Sequence, residues 1–265
     1  MNVTYPDNST ILRLAMEQSA FDSNCNPEDF TKLENVFTES VENKNAHKYL
    51  ELPHVCDLVS YGGNVVVSAR ADFLSDLKSL VNSKEAYRWF ETPGIYLLNK
   101  LLEKADSRVC FMADYFLPDA EKIFEAGKDF DKSNFPYELK VLSQTDFEGL
   151  YTDQWSNALC EKRRQLDVLG VGAYDGNKLV GFAGSSADSE KFWQIGVDVL
   201  PEYRRKGIAS VVTNRLAREV FARGKIPFYC AAWSNIKSVR NALRSGFKPG
   251  WTQVTAKSNG YIKEL

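Results

Sequence analysis

The chain of 265 residues holds only two histidines, His47 and His54, both in its first quarter. That leaves little material for a Ser-His relay or an imidazole-rich metal site. A pair seven residues apart in a loop-like stretch reads as solvent-facing. Five cysteines, Cys25, Cys56, Cys110, Cys160 and Cys230, are odd in number, widely spaced and form no C-x-x-C pair. They read as reduced thiols of a cytoplasmic protein, not as a disulfide framework or a zinc site. No run of eighteen apolar residues is present, and the first thirty residues carry Asn, Asp, Glu and Arg where a signal peptide would be apolar, so neither a membrane span nor export is expected. A G-x-x-x-x-G-K-S/T phosphate loop is missing too, which disfavours a Walker-type nucleotide site.

Charge, by contrast, is plentiful and uneven. Residues 1–134 hold 14 Lys/Arg against 22 Asp/Glu and residues 135–265 hold 19 against 13, net −8 and +6 within an overall −2. A basic half suits an anionic ligand and an acidic half a cationic one, although two ordinary solvated surfaces would show the same numbers. The balance gives no case for nucleic acid, because the cluster Arg204-Arg205-Lys206 lacks the surrounding basic and aromatic surface that such binding needs. The polar segment Gly127 to Pro136 reads as a linker between two domains, residues 1–134 and 135–265.

In the first half, Asn26-Pro27-Glu28-Asp29 would open a helix running to about Val41, and Ala71–Leu80 and Gly94–Ala105 show helical spacing. Asn64–Ala69 after Gly62-Gly63, and Arg108–Leu117 before Pro118, read as strands. This is a mixed α/β domain, in which Tyr87, Trp89, Phe90, Tyr96, Phe111, Tyr115 and Phe116 read chiefly as core.

The second half is more specific. Phe192 to Leu200 alternates as a strand, with Trp193, Ile195, Val197 and Val199 toward one face and Gln194, Gly196 and Asp198 toward the other. Pro201 ends it. A helix beginning at Gly207 follows, with Ile208, Val212, Leu216 and Val220 recurring every four residues. Between them lies Arg204-Arg205-Lys206-Gly207-Ile208-Ala209, a turn at which consecutive backbone N–H groups converge on an anion at the positive end of the helix dipole. Gly207 lacks a Cβ and Ala209 has the smallest one, so a phosphate has close access. A second strand, Ile226–Ala232, leads to Ser234 or Asn235 as a helix N-cap, then apolar Ile236, Val239 and Leu243, and a stop at Gly246-Phe247.

This region resembles the GNAT superfamily of acyl-CoA-dependent N-acyltransferases. Its phosphate-loop pattern, Arg/Gln-x-x-Gly-x-Gly/Ala, is matched by Arg204-x-x-Gly207-x-Ala209, and the family's Asn-opened helix ending in Gly-Phe by Ser234-Asn235 through Gly246-Phe247. Upstream, Val168–Tyr174 and Lys178–Ser186 around Asp175-Gly176-Asn177 look like the central hairpin. Tyr137–Leu142 looks like the first strand, followed by a helix whose start, Thr145-x-x-Glu148, reads as a capping box. The resemblance covers about residues 135 to 265. It implies an α/β (α+β) fold, a mixed, mostly antiparallel sheet flanked by helices, with acetyl-CoA as co-substrate and no need of a metal. Val197, Asp198 and Val199 would hold the pantetheine arm and the acyl carbonyl. Arg204, Arg205, Lys206, Gly207, Ile208, Ala209 and Ser210 would form the diphosphate loop, and Asn235 would contact the arm from the opposite wall.

Two departures leave the proton path open. Where many members place a Tyr that protonates the leaving thiolate, this chain has Ala242, and where some place a Glu as general base it has Cys230. Asp198 is the candidate catalytic residue, attracting a cationic amine or relaying its proton, against the plainer reading of a solvated carboxylate. Tyr229 and Tyr203 read as packing residues, and Cys230 as a small buried apolar group. The function expected is acetyl transfer from acetyl-CoA to a primary amine of a small molecule, with the N-terminal domain forming part of the acceptor site. The alternatives are an acetyl-CoA-binding module with little transfer and an acetyltransferase for protein or peptide amines.

Overall fold

A computed structural model describes residues 5–132 and 134–264. In chain order its helices and strands are α1 (Asn8–Ser23), β1 (Val36–Glu39), β2 (Cys56–Ser60), β3 (Val66–Ala69), α2 (Leu74–Val81), α3 (Thr92–Leu102), β4 (Ser107–Pro118), α4 (Ala120–Lys132), β5 (Glu138–Ser143), β6 (Asp167–Asp175), β7 (Lys178–Ser186), β8 (Phe192–Val199), α5 (Ile208–Ala222), β9 (Ile226–Ala232), α6 (Ile236–Arg244), β10 (Phe247–Ser258) and α7 (Asn259–Lys263). The architecture is mixed α/β with mostly antiparallel strand pairing. No helix among the described residues is long and apolar enough to cross a membrane.

The chain divides into two compact units. The first contains Met1–Ile11, Phe116–Ala231 and Asn235–Pro249, and the second Leu12–Tyr115, Ala232–Ser234 and Gly250–Leu265. They are not the consecutive halves 1–134 and 135–265. Strands β4 and β10 each contribute residues to both units, and α4 belongs to the first. The expected linker at 127–136 is largely helix: through Lys132 it continues α4, while Ser133 lies outside the described residues. The reason lies in the spacing of Ile123, Gly127 and Phe130, which makes one amphipathic face from a segment that looks polar by composition.

In the first unit, β5, β6, β7 and β8 are successive antiparallel neighbours. The β6–β7 hairpin turns at Gly176, whose φ of 59° lies in the left-handed region. Helix α5 buries Ile208, Val212, Leu216 and Val220. Burying such a stripe at roughly 1.5–3 kcal/mol per side chain exceeds the intrinsic helix propensity of so β-branched a sequence. Helix α6 differs from the expected pattern. Ile236 and Leu243 are exposed, while Asn241 and Ala242 are buried, because Asn241 joins a polar seam to α5. Ser210 Oγ donates to Asn241 Oδ1 at 3.0 Å and Asn241 Nδ2 to Thr213 Oγ1 at 3.0 Å.

The segment between β5 and β6 is a chain of 3₁₀ turns, not the helix expected there. Its opening cap is Ser143 with Asp146, not Thr145 with Glu148: the Asp146 carboxylate accepts from the Ser143 N–H at 2.8 Å. These turns carry their own small core, in which Phe147, Trp155, Ala158 and Leu159 pack with Phe182 of β7.

The second unit contains the parallel pair β1–β3, with β2 antiparallel to both β3 and β10. Leu58, Val67, Phe73, Leu77, Trp89, Leu98 and Val254 form its core. The helix expected from Asn26 to Val41 stops after one 3₁₀ turn, Pro27–Thr31. Val36-Phe37-Thr38, β-branched and aromatic, instead pair in strand register with Val66–Ser68. Of the aromatic cluster, Trp89, Tyr115 and Phe116 are buried, whereas Tyr87, Tyr96 and Phe111 are exposed. The two histidines are buried, not solvent-facing. His47 Nδ1 lies 2.6 Å from Asp22 Oδ2, and the backbone N–H of His54 donates to Ser40 Oγ at 2.8 Å.

Candidate active site

The site is organised by β8, whose two edges behave differently. Toward β7 it is paired along its length, from Gly181 opposite Val199 to Ser186 opposite Gln194. Toward β9 the parallel register runs from Phe192 opposite Ile226 only as far as Ile195 opposite Tyr229. Both strands continue beyond that point, to Val199 and Ala232. The strands therefore part, leaving the backbone of Gly196–Val199 without a β9 partner.

The opening leads to the Arg204–Ser210 loop. Two residues there adopt left-handed conformations, Arg205 at φ 63° and Gly207 at φ 81°, and such alternation turns successive N–H groups to one side. The Arg204 N–H is taken by Pro201 O and that of Val211 by Gly207 O. Among the described residues, the six N–H groups between them, Arg205 to Ser210, have no protein acceptor. A Cβ placed on Gly207 would meet nothing within 4 Å, so the space in front of the loop is open. The side chains divide the work: Arg204 Nε donates to Val199 O at 3.1 Å and fastens the loop to the strand, and Lys206 Nζ stands 4.8 Å over the Tyr203 ring. Tyr203 in turn donates to Asp175 Oδ2 at 2.9 Å. Tyr203 and Tyr229 thus each have a hydrogen-bond partner within the protein. Tyr229 is buried, its hydroxyl is 2.8 Å from Ser238 Oγ, and burial pushes its phenol up.

Asn235 is the N-cap of α6, with Oδ1 accepting from the Ser238 N–H at 3.2 Å. Asp198 carries a load that sequence reasoning missed. Its Oδ2 accepts from the backbone N–H groups of Asn157 at 2.9 Å and Ala158 at 3.0 Å, and its Oδ1 from Asn157 Nδ2 at 2.6 Å. The turn so held lies directly on the strands, for a Cβ on Gly196 would come 1.8 Å from Asn157 O, and one on Gly184 2.0 Å from Ala158 O. Two glycines facing each other in register were the available signal for this close approach. On the same face the Gln194 amide donates to the Cys230 sulfur. Burial pushes that thiol up to about 11, so it remains protonated at neutral pH. Among the described residues no group of His, Cys, Asp and Glu is placed to hold a metal ion.

Residues 31–250 match the sequence profile of a family described as GNAT acetyltransferase. The chain belongs to the GNAT acetyltransferase family. Its fold is similar to that of a GCN5-related N-acetyltransferase-like protein from Streptococcus suis 89/1591, at 22% identity over 60% of this chain and 66% of that one, with a TM-score of 0.47. A GCN5-related N-acetyltransferase from Kribbella flavida matches at 16% identity over 63% of this chain and 66% of its own, also at 0.47. The chain thus spans just under two thirds of the length of these structures. An aminoglycoside N-acetyltransferase in complex with CoA matches at 18% identity over 44% of this chain and 91% of its own, at 0.35. No curated protein matches significantly. In this GNAT chain the two positions expected to depart from the family pattern of proton transfer are Ala242, buried in α6, and Cys230, a half-buried thiol.

Proposed function

We propose that this protein binds acetyl-CoA along the gap between β8 and β9 and transfers its acetyl group to a primary amine of a small molecule. The observation that carries this reading is the run of six unengaged N–H groups, Arg205 to Ser210, at the mouth of two parting parallel strands. Such a run suits a diphosphate, and the open space before Gly207 leaves room for one. Val197, Asp198 and Val199 would offer the pantetheine arm the backbone edge that β9 does not pair, and Asn235 would face it.

Bound acetyl-CoA supplies an activated acyl group: the amine nitrogen bonds to the carbonyl carbon, the C–S bond breaks, and the sulfur departs with the proton the nitrogen gives up. The N–H groups of the splayed strand are the donors available to the carbonyl oxygen as charge develops on it. Cys230 stays a thiol and does not enter as a nucleophile. A leaving thiol with a pKa near 8.5 needs no dedicated acid, and water can take the amine's proton. The turn at Asn157-Ala158, pressed onto Gly184 and Gly196, supports a compact acceptor over an extended peptide. The five free cysteines suit a reducing, cytoplasmic setting.

Titration with acetyl-CoA, followed by thiol release over a panel of small amines and one lysine peptide, tests the reading. Saturable binding with release from a small amine is expected. Release from the peptide alone would overturn the choice of acceptor. Binding without release from any amine would favour a module that holds acetyl-CoA with little transfer, the reading that Ala242 and Cys230 keep in play.

A further inference from the structure

A polar row crosses one face of the first unit's strands. In register, Asp167 of β6 stands opposite Ser186 of β7, and Ser186 opposite Gln194 of β8, so their side chains point to the same side. Asp167 and Ser186 are committed within the protein: Asp167 Oδ2 accepts from the Cys160 N–H at 2.9 Å, and Ser186 Oγ donates to Asp188 Oδ1 at 3.0 Å. Gln194 is committed at one end only. Its Nε2 donates to Cys230 Sγ at 2.8 Å, while its Oε1 has no partner among the described residues and is not enclosed by them.

The carboxamide stands at a particular point of the gap. Pairing of β8 with β9 ends at Ile195 opposite Tyr229, and Cys230 is the next residue of β9. Gln194 and Cys230 therefore bridge the two strands where they begin to part, at the end of the gap farthest along β8 from the Arg204–Ser210 loop. An arm whose diphosphate sits at the loop carries its thioester toward that end. Asp198, farther along the same face, has both carboxylate oxygens engaged by the Asn157–Ala158 turn. The opposite face of the β7–β8 pair is packed on α5, where a Cβ placed on Gly181 would come 2.3 Å from Ile208 Cγ2.

We propose that Gln194 is a catalytic residue: its Oε1 accepts an N–H of the attacking amine, and Cys230 holds the carboxamide in the orientation that presents this oxygen to the gap. The inference rests on the coenzyme reading above. A neutral amide holds the nitrogen without protonating it, so the lone pair stays available for the carbonyl carbon. As the N–C bond forms, the nitrogen becomes cationic and its N–H becomes a charge-assisted donor to Oε1. The nitrogen then gives a proton to water, the C–S bond breaks, and the departing sulfur takes a proton up. The hydrogen bond is thus stronger in the transition state than in the ground state, and its loss falls on kcat more than on KM.

The test measures kcat and KM on the whole protein with acetyl-CoA and the amine of the panel above that releases thiol fastest. Acetyl-CoA affinity by calorimetry and thermal unfolding are followed for each variant. Gln194→Met, close in volume but without an acceptor, should lower kcat about ten- to a hundredfold, the range of one hydrogen bond to a charged group. KM for the amine should change less, and acetyl-CoA affinity and the unfolding midpoint should stay at wild-type values. Gln194→Glu restores an acceptor and should recover most of kcat, which a purely structural role for the amide would not produce. Cys230→Ala frees the carboxamide and should lower kcat about two- to tenfold, with Cys230→Ser recovering it. Wild-type kcat in Gln194→Met, or a loss of kcat matched by a loss of acetyl-CoA affinity, would overturn the role of Gln194 and leave the coenzyme reading intact. Wild-type protein that neither binds acetyl-CoA nor acetylates any amine would overturn both.

Discussion

The two faces of β8 are built on different principles. On the loop side, the groups we propose for an anion are backbone N–H groups presented by a turn and the first residues of α5, and their geometry depends on local conformation at Arg205 and Gly207. On the other face, the wall over the strand is held by long-range contacts: Asp198 binds a turn 41 residues away in sequence, Trp155 packs on Phe182, and two glycines admit Asn157 and Ala158. Backbone-built sites can be written in six consecutive residues. Walls built from tertiary contacts cannot.

The comparison is broken most directly at Gly196. Gly196→Ala should displace the 157–158 turn, since backbone must move by more than an ångström. We expect about 1–3 kcal/mol or more of lost stability in chemical denaturation, with turnover falling more than donor affinity. Unchanged stability would mean that the wall is not seated on the strand.

Asp198 separates positioning from proton transfer. Asp198→Ala removes all three acceptors of the turn and should reduce turnover at least tenfold. Asp198→Asn keeps a carbonyl oxygen for the two backbone N–H groups, and Asn157 can present its own carbonyl to the new amide after a flip. Turnover of D198N within about tenfold of wild type marks a positioning residue, whereas a general base would lose roughly 10²–10⁴ on the same change.

On the loop face, Gly207→Ala meets no atom but must hold φ near 81°, at about 1–2 kcal/mol. Donor affinity should fall by more than the stability change alone predicts, because the methyl stands where a phosphate would approach. Calorimetry and thermal unfolding together check this.

The narrowest effect, confined to a pH window, concerns the wall's interior. Burial pushes the carboxyl of Asp167 up to about 6, with the Cys160 N–H and the Tyr151 hydroxyl acting against that rise. A carboxyl raised in the folded state binds its proton more tightly there than in the unfolded chain, near 3.9. Its contribution is therefore present below about pH 4 and lost as pH rises toward 6, by about 3 kcal/mol at most. Asp167→Asn should flatten the pH dependence of the denaturation midpoint across that window and leave α5 and the loop unaffected.

The sheet strands of the first unit, the hairpin turn at Gly176, the stripe of α5 and the Gly207 start were legible because each is a short-range pattern with a local cause. Misreadings came where tertiary context overrode composition. The polar stretch after Gly127 is helix because Ile123 and Phe130 find α5 and a cleft to face. Val36–Thr38 left a promising N-cap for the sake of strand pairing with β3. Both histidines are buried: the His47 imidazole meets Asp22, 25 residues away, and the His54 backbone N–H is taken by Ser40, 14 residues away.

The sequence alone determined the GNAT order of elements and the position of the loop Arg204–Ser210 that we propose for an anion, since strand alternation, helix period and glycine at a positive φ are properties of neighbouring residues. The parting of β8 from β9, the seating of Asn157 on Gly196 and the three-way hold on Asp198 were decided only by the tertiary structure. Each of these depends on the distance between residues far apart in the chain, and that distance is set by how helices and strands pack, not by the spacing of letters.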